Sequence, residues 1–475
     1  MDSIIPNVLA TRYASQDIQA VWSENRRIVL EREFWIAVMK AQRSLGIEIP
    51  ENAIRAYEAG MEKVDLESIR KREIASKHDV KARIEEFCHL AGHEHIHKGM
   101  TSRDLTDNVE QLQIHRSLQI IRIKYVALLL RLADRVREWR DLVVVGRTHH
   151  SAAQPTTMGK RMAMFGEEML RGFGRLEHLI ESYPLRGLKG AVGTGLDQLT
   201  LLDGDASKLV RLQAEILRHV GINHELNAVG QVYPRGLDFE TVSCLYQLGG
   251  GLANLARTIR LMAGNETATE GFAEDQVGSS AMPHKMNTRN TERINGLQVI
   301  LGGYVHMLGA LVGDQWFEGD VSCSVVRRVA LPDSFFTIDG MIETMLHVLD
   351  NMGVYEAAFR NELNRFMPFL STTTIMMEAV RKGAGRERVH EAVRDHSIAE
   401  IHAMREQGAV VNSLAERLSD DDRIPLTKEE IESVIRQTET LVGVAHEQTD
   451  DFVASVVKLG KKYPDAERMK KSQQL

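Results

Sequence analysis

The 475-residue sequence contains few cysteines, prolines and aromatic residues, and each shortage excludes a class of protein. The three cysteines, Cys88, Cys244 and Cys323, are odd in number and far apart, which excludes a disulfide framework. Ten prolines and an aromatic content of 5% favour helices, because strand-rich folds are normally enriched in aromatic residues. The sequence also lacks a strand–glycine-loop–helix fingerprint, so any nucleotide must be bound by side chains.

Charge and hydropathy argue against two further classes. The net charge of −7 opposes general nucleic-acid binding, although a local cluster of arginine and lysine could bind a small anion. The longest nearly uncharged apolar run, Leu301 to Gly313, is too short and too rich in glycine to span a bilayer. Residues 1–15 lack the basic-then-apolar pattern of a signal peptide. We therefore expect a cytoplasmic protein of enzyme size without a membrane role.

The spacing of apolar residues predicts long helices. Between Ser102 and Val145 there is no glycine or proline, and apolar residues recur at three- and four-residue steps. This pattern predicts a helix of about 35 residues, roughly 50 Å long. Similar patterns recur at 157–181, 205–220, 236–264 and 290–313, which together predict a long helical bundle.

A chain of this length is expected to form two or three domains. We predict an amino-terminal helical domain (1–103), a central long-helix bundle (104–360) and a carboxyl-terminal helical domain (361–475). The triplet Gly249-Gly250-Gly251 lies inside one predicted helix of the bundle. Either a neighbouring helix approaches closely there, as in a bundle shared between subunits, or the helix breaks.

The segment from Gly278 to Asn287 concentrates chemically useful groups in a loop. It carries the Ser279 hydroxyl, the Lys285 amine and the Asn287 amide, and glycine and proline interrupt the helical pattern. A serine becomes a base when a nearby ammonium lowers its pKa or stabilises its alkoxide. Lys285, Asn287 and backbone N–H groups could stabilise an oxyanion on a carboxylate. The segment therefore favours proton abstraction followed by charge stabilisation; the alternative is a flexible surface turn.

Three other segments combine groups suited to proton transfer or anion binding. Thr148-His149 lies between an apolar run and a predicted helix, where an imidazole could act as general acid. Lys77-His78-Asp79 ends a charged helix, and the hydroxyls of Thr101 and Ser102 could cap a helix or bind a carboxylate. A solvated helix end is the structural alternative for Lys77-His78-Asp79.

A histidine-rich stretch invites a zinc interpretation. Cys88 is followed by His89, His93, His95 and His97. The single cysteine and the uneven spacing do not match a structural zinc site, so we predict no metal.

Taken together, these segments resemble the fumarase/aspartase superfamily and, within it, the adenylosuccinate lyase family. The superfamily signature G-S-S-x-M-P-x-K-x-N is matched from Gly278 to Asn287. Five other segments are similar to the versions of the motifs in that family: Arg12-Tyr13-Ala14-Ser15, Lys77-His78-Asp79-Val80, Gly99-Met100-Thr101-Ser102, Thr148-His149 and Gly230-Gln231-Val232-Tyr233. The matches run in the family's order from residue 12 to residue 328, and the last third of the chain contributes little.

The resemblance implies an all-α, three-domain fumarase/aspartase-like fold with a long central bundle shared in a homotetramer. It implies active sites built from three subunits, no cofactor, small nucleotide substrates, and neither nucleic-acid nor membrane partners. The implied reaction eliminates fumarate from adenylosuccinate to give AMP. A second elimination acts on the succinocarboxamide ribotide of purine synthesis.

The resemblance also implies catalytic roles by position. Ser279 would be the general base that removes the proton next to a succinyl carboxylate, and His149 the general acid that protonates the departing nitrogen. His78 would support the proton transfer or contact the substrate, and Lys285 and Asn287 would stabilise the enediolate.

The remaining positions are predicted substrate contacts. Arg12, Tyr13, Ser324 and Arg328 are expected at the phosphate end. Glu292, which opens the helix after the loop, is predicted to orient Lys285 or a substrate carboxylate. The other predicted nucleotide and succinyl contacts are Lys77, Asp79, Thr101, Ser102, Thr148, Gln231, Met282, Asn287 and Arg293.

The sequence departs from the superfamily pattern at three places. Thr288 stands where a proline usually follows the asparagine, and His150-Ser151-Ala152 replaces the common segment after the Thr-His pair. Gly319 stands where many relatives have an arginine, and we expect Arg327 to replace it as an anion contact.

Two alternatives remain at this point. One is another lyase of the superfamily, such as an argininosuccinate lyase or a cycloisomerase, which the Arg12-Tyr13 and Lys77-His78-Asp79 segments oppose. The other is a non-catalytic helical scaffold, which the joint presence of Ser279, His149 and Lys285 opposes.

Overall fold

Six helices form the amino-terminal part of the computed structural model, which describes residues 5–271 and 285–469. The helices are α1 (Val8–Arg12), α2 (Gln16–Trp22), α3 (Glu24–Ser44), α4 (Glu51–Gly60), α5 (Leu66–Ser76) and α6 (Asp79–Ala91). The Ser23 side chain caps α3 by accepting a hydrogen bond from the Arg26 N–H. Helix α3 buries Trp35 against Phe87 of α6 in a hydrophobic cluster that also includes the start of the next, much longer helix.

Long helices form the centre of the fold. The helices are α7 (Ser102–Glu138), α8 (Met158–Ser182), α9 (Leu196–Leu201), α10 (Ala206–Val220), α11 (Gly236–Gly264), α12 (Arg289–Gly309) and α13 (Cys323–Asn351). The five longest of them pack side by side, α7 on α8 and α13, and α11 on α8, α12 and α13. Their shared apolar faces form the largest hydrophobic cluster, so the predicted bundle is confirmed, with bounds close to those that apolar spacing indicates.

Within the described residues, strands occur only as short pairs. The strands are β1 (Val143–Thr148), β2 (Ser151–Thr157), β3 (Pro184–Leu185), β4 (His224–Glu225), β5 (Ala268–Thr269) and β6 (Gly353–Val354). β1 pairs antiparallel with β2, β3 parallel with β4, and β5 antiparallel with β6. This small amount of sheet leaves the fold essentially helical.

Shorter helices follow the bundle. They are α14 (Glu356–Leu370), α15 (Thr372–Arg381), α16 (Arg386–Glu406), α17 (Leu414–Ser419), α18 (Lys428–Arg436), a 3-10 helix (Thr438–Val442), α19 (Ala445–Lys462) and α20 (Pro464–Glu467). Residues of α15 to α18 share a separate hydrophobic cluster, whereas α19 packs on α7 and α8. The domain limits at 103/104 and 360/361 stay a prediction.

Two contacts fix the relative direction of the bundle helices. Arg103 near the start of α7 donates to Ser324 near the start of α13, with Nη2 and Oγ 2.8 Å apart. Arg135 near the end of α7 donates to the carbonyl of Leu349 near the end of α13, so α7 and α13 are parallel. Helix α12 is antiparallel to α13: Tyr304 hydrogen-bonds to Asp333, while Gln298, earlier in α12, and Met341, later in α13, both lie against Gly249. We call the end with the first residues of α7 the amino end of the bundle and the opposite end the carboxyl end.

The glycine triplet does not break α11, which runs unbroken through Gly249, Gly250 and Gly251. A Cβ at Gly251 would lie 2.7 Å from Met169 Cγ of α8, and Gly249 lies against α12 and α13. Of the two predicted alternatives, the close approach of neighbouring helices is therefore the one observed, and here the neighbours belong to the same chain.

No helix within residues 5–271 and 285–469 is both long enough and apolar enough to cross a membrane.

A buried ion pair joins α7 to α13 at mid-length. The Lys124 ammonium lies 2.6 Å from Asp339 Oδ1 and 2.6 Å from Glu343 Oε1, and Asp339 is fully buried. Burial opposes ionisation of Lys124, but the two carboxylates outweigh it and raise the pKa of the amine. In the native protein each of these charged groups is therefore stabilised in its ionised form by the others.

We expect Lys124→Met to lower the thermal midpoint strongly. Removing one partner of a buried ion pair leaves an uncompensated charge and costs about 3–5 kcal/mol. Calorimetry of this variant should be compared with Lys462→Met, which removes an exposed ion pair with Glu177. An exposed pair contributes about 0–1 kcal/mol, so equal midpoint losses in the two variants would contradict the assignment.

Candidate functional site

A cavity of about 170 Å³ at the amino end of the bundle brings together four predicted substrate contacts. Asp79, Ser102, Ser324 and Arg328 all line it. The first three lie in the opening turns of α6, α7 and α13. Helix amino termini carry unpaired N–H groups and partial positive charge, so three of them at one cavity favour an anionic ligand.

The residues around Asp79 and Ser102 shape these helix ends. His78 caps α6, with its Nδ1 3.3 Å from the backbone N of Lys81, while Thr101 caps α7 and donates its N–H to Asp104 Oδ2 at 2.8 Å. Burial alone would raise the pKa of Asp79, but Arg83 and the Val80 N–H outweigh it, and the pKa is lowered. Asp79 is therefore ionised at neutral pH.

Lys77 and His78 stand at the rim of this region. Lys77 ends α5 in the left-handed conformation with φ +53°, and both side chains are exposed. The His78 ring lies 3.7 Å from Asp79 Oδ1, at the outer side of the cavity wall.

His149 lies at the tip of the β1–β2 hairpin. The two-residue turn consists of His149 and His150, with φ of +51° and +62°. Positive φ at both positions gives the mirror-image turn that fits the twist of a hairpin, although it strains residues other than glycine. Arg147 Nη1 donates to the His150 carbonyl at 2.9 Å, and its Nη2 pairs with Glu362 of α14. The turn is thus held to its own strand and to a neighbouring helix.

A second cavity, of about 560 Å³, opens beside this hairpin. His149, Arg147 and Arg161 line it together with Asn265 at the end of α11 and Thr267. This cavity lies at the carboxyl end of the bundle, since β1 begins five residues after α7 ends at Glu138. Helix α7 has 37 residues, so about 55 Å separates Ser102 from the base of the hairpin.

The residues after the signature loop also lie at the carboxyl end. Lys285 is exposed and Asn287 part-buried immediately before α12 begins at Arg289. Among the described residues Glu292 accepts a hydrogen bond from Thr288 Oγ1 at 3.3 Å and has no ion pair with Lys285. Gly278, Ser279 and Met282 lie outside the described residues.

Glu270 is a helix-capping residue beside the signature segment that sequence reasoning missed. Its buried carboxylate accepts hydrogen bonds from the N–H groups of Asn290 and Thr291 at 2.9 Å, and from the Thr291 hydroxyl. It thereby caps α12 and joins the two sides of the undescribed stretch 272–284. Twenty residues separate donor and acceptor, so no local pattern could have indicated this cap.

Three further predicted contacts, Arg12, Tyr13 and Arg293, lie where α1 meets α12 and α13. Arg12 is exposed at the end of α1, and the Arg293 guanidinium lies 5.7 Å from the ring centre of Tyr13. Tyr13 in turn packs against Gly340 of α13, where a Cβ would lie 2.8 Å from its own. These residues are positioned between the two cavities and line neither of them.

Gln231 and Gly319 are in direct contact. The Gln231 N–H donates to the Glu318 carbonyl at 2.6 Å, and a Cβ at Gly319 would lie 2.8 Å from the Gln231 Cβ. A side chain at position 319 would therefore displace the Gln231 side chain.

The prediction that Arg327 replaces the missing arginine is wrong. Its side chain is only 1% exposed, with Nε 2.7 Å from Asp238 and Nη1 2.7 Å from Glu110. Burial opposes its ionisation, but these carboxylates outweigh it and raise the pKa further. Arg327 is committed to a buried ion-pair network and is not available to a ligand.

Residues of the histidine-rich stretch contact neighbouring side chains within the fold. Trp35 Nε1 donates to His97 Nδ1 at 3.0 Å, and burial lowers the pKa of His97 to about 4. Lys98 contacts the His95 ring, and the Tyr57 hydroxyl lies 3.3 Å from Cys88 Sγ. In the part of the chain that the structure describes, no group of three or more potential ligands could hold a metal ion.

Comparisons with known proteins identify the family. A family model described as lyase matches residues 11–302, and one described as adenylosuccinate lyase C-terminus matches residues 368–452. The adenylosuccinate lyase of Saccharomyces cerevisiae is 32% identical, over 94% of this chain and 93% of the yeast protein. The chain belongs to the adenylosuccinate lyase family. The Schistosoma mansoni enzyme is 31% identical, over 95% of this chain and 94% of its own length.

Solved structures confirm the fold class. A 3-carboxy-cis,cis-muconate lactonizing enzyme from Pseudomonas putida matches with a TM-score of 0.79 at 20% identity, covering 95% of this chain and 99% of that one. A fumarate lyase from Mesorhizobium matches with a TM-score of 0.77 at 22% identity, over 95% and 99%. The predicted family, the predominantly helical fold and the classification as a lyase are confirmed.

We expect Glu362→Gln to loosen the hairpin that carries His149. The variant removes the ion pair with Arg147, a partly buried contact whose loss we expect to cost about 1 kcal/mol. Amide hydrogen exchange in residues 143–157 should then accelerate about fivefold, since local opening governs exchange there. Glu378→Gln, which removes an exposed ion pair with Arg381, is the matched control. Unchanged exchange in the Glu362 variant would show that the ion pair does not hold the turn.

Proposed function

We propose that this chain eliminates fumarate from adenylosuccinate to give AMP, and likewise from the succinocarboxamide ribotide of purine synthesis. The proposal rests on membership of the adenylosuccinate lyase family together with the exposed imidazole of His149 in a large cavity. An amino-end cavity at which three helix termini meet supports a substrate with several anionic groups.

Proton transfer is assigned to two residues in this proposal. Ser279 removes the proton from the carbon next to a succinyl carboxylate, and the electron pair is held as an enediolate. The carbon–nitrogen bond then breaks, the carbon–carbon double bond of fumarate forms, and His149 gives its proton to the departing nitrogen. Such a proton is weakly acidic, so Lys285 and Asn287 contribute by stabilising the negative charge.

The binding roles follow the resemblance. Arg12, Tyr13, Ser324 and Arg328 contact the phosphate end in this proposal, and Glu292 orients Lys285 or a carboxylate. His78 supports proton transfer from the rim of the amino-end cavity. The other proposed nucleotide and succinyl contacts are Lys77, Asp79, Thr101, Ser102, Thr148, Gln231, Met282 and Arg293.

We propose that these groups meet in a homotetramer whose active sites combine residues of different subunits. One chain holds Ser102 and His149 at opposite ends of a helix about 55 Å long, too far apart to contact one substrate. Large apolar side chains are exposed along the central helices, including Val299 (76%) on α12 and Val325 (71%) on α13. Exposed apolar side chains on long helices favour self-association, which would bring a partner's carboxyl end to the amino-end cavity.

We also propose a cytoplasmic location. The three cysteines are free thiols, two of them buried, which is typical of proteins in a reducing compartment.

Removing the proposed acid or base should abolish most turnover. We expect Ser279→Ala and His149→Ala each to lower kcat by about 10²- to 10⁴-fold with helicity unchanged. Fumarate release from adenylosuccinate is followed by absorbance, with argininosuccinate offered in parallel. His150→Ala, at the other position of the same turn, controls for strain and should lose less than tenfold. Wild-type protein that releases fumarate only from argininosuccinate would refute the proposed substrate.

Mixing the two inactive variants tests the shared site. If Ser279 and His149 of one site come from different chains, exchange of Ser279→Ala and His149→Ala subunits should restore about a quarter of wild-type activity, since some mixed sites then carry both native residues. Subunit exchange is verified by mass spectrometry of differently tagged chains. Full exchange without any recovered activity would place both residues on one chain.

A further inference from the structure

Arg103 lies in the wall of the amino-end cavity, beside the predicted phosphate contacts Ser324 and Arg328. Its Nη2 donates to Ser324 Oγ at 2.8 Å and its Nη1 lies 3.0 Å from Asp107 Oδ1, with the side chain 14% exposed. Because the Ser324 oxygen accepts this hydrogen bond, its own O–H remains able to donate to a ligand. These two contacts hold the Arg103 guanidinium in place and leave its other N–H groups able to donate to a ligand.

The Asp107 carboxylate that pairs with Arg103 also contacts two other arginines. Asp107 also lies 3.3 Å from Arg235 and 4.0 Å from Arg327, and it is fully buried. Burial would raise its pKa, but the surrounding arginines outweigh it, so the pKa is lowered and Asp107 stays ionised. One carboxylate among three guanidinium groups neutralises Arg103 only in part.

The other acidic residues of the cavity are already paired. Glu31 and Asp79 both pair with Arg83, and Glu110 pairs with Arg327. Burial raises the pKa of Glu31 to about 6, against the attraction of Arg83 and Arg27. Among the described residues the exposed Arg328 guanidinium has neither an ion pair nor a hydrogen bond. The cavity therefore has positive charge on Arg103 and Arg328 that a bound anion would neutralise.

We propose that Arg103 is a phosphate-binding residue of this enzyme, acting together with Ser324 and Arg328. Arginine offers paired donors that match phosphate oxygens, and the amino termini of α7 and α13 add to the same field. Gly319 supplies no side chain and Arg327 is buried in ion pairs, so Arg103 is the remaining arginine beside Ser324. The identity of the anion as the substrate's phosphate rests on the proposed function.

The test measures ligand binding apart from turnover. Isothermal titration of the full-length protein with AMP, adenosine, inorganic phosphate and fumarate compares wild type with Arg103→Met. Loss of one charged hydrogen-bond donor should weaken AMP and inorganic phosphate about 10- to 100-fold and leave adenosine and fumarate unchanged. In turnover assays KM should rise by a similar factor, with a smaller change in kcat.

Two further variants distinguish binding from a structural tether. Arg103→Lys keeps the charge and should recover part of the phosphate affinity. Arg116→Met removes an arginine of the same helix that pairs with Glu33, and should leave AMP affinity unchanged. If Arg103 only joined α7 to α13, Arg103→Met would lower the thermal midpoint without selectively weakening AMP.

Each outcome separates this inference from the proposed function. Equal AMP affinity in wild type and Arg103→Met, or a loss confined to fumarate, would overturn the role of Arg103 while the lyase reaction stands. Conversely, protein that turns over no adenylosuccinate yet binds inorganic phosphate through Arg103 would support the site and refute the substrate.

Discussion

The length of α7 is the constraint on which the arrangement of the site depends. This helix carries Ser102 on its first turn and is followed by the hairpin of His149, so about 55 Å separates Ser102 from the base of the hairpin in one chain. An ion pair and hydrogen bonds to α13 at its start, middle and end hold the two helices in register. The cavity lined by Ser102 and the hairpin that carries His149 are therefore held at opposite ends of the bundle.

A network of buried charged residues fixes the structure at the amino end of the bundle. Asp104 Oδ1 accepts from Arg186 at 2.6 Å and from the backbone N–H of Lys189 and Gly190, while Arg327 pairs with Asp238. Burying such groups is costly, so the network adds little net stability compared with apolar packing. Its contribution is geometric, because Arg186 also holds the Gly230 carbonyl beside Gln231. The network thus fixes the loops at 186–190 and 230–231 against the start of α7.

The helices could be predicted from the sequence because their cause is local. Apolar residues at three- and four-residue steps specify one buried face, and the observed α11 spans Gly236–Gly264 as the pattern indicates. The β1–β2 hairpin was missed because its turn is His149-His150, without the Asn-Gly or Asp-Gly pair that usually signals positive φ. Local patterns also cannot show which helix ends converge, since that depends on packing between distant segments.

The residues of the candidate site also fall into those that the sequence could indicate and those that it could not. The family resemblance indicated Asp79, Ser102, Ser324 and Arg328 as substrate contacts, and the fold gathers these four at one cavity. The same reasoning named Arg327 as the replacement anion contact and did not consider Arg103, although of the two only Arg103 lines the cavity. Arg103 directly follows Ser102 and Arg327 lies three residues after Ser324, both near a helix start, so local sequence does not show which of them turns inward. The two side chains differ in the direction in which they leave their helices: Arg103 lies beside Ser324, whereas Arg327 points inward to Asp238.

The separation of the two ends of the bundle affects how substitutions would change the activity of this enzyme. If proton transfer requires a partner's carboxyl end at each anion cavity, an isolated chain is folded but inactive, and activity depends on protein concentration through assembly. Substitutions on the exposed apolar faces of α12 and α13 would then act on catalysis without touching a reacting group. In the proposed assembly this dependence follows from α7, because its 37 residues place Ser102 and the base of the His149 hairpin about 55 Å apart in one chain.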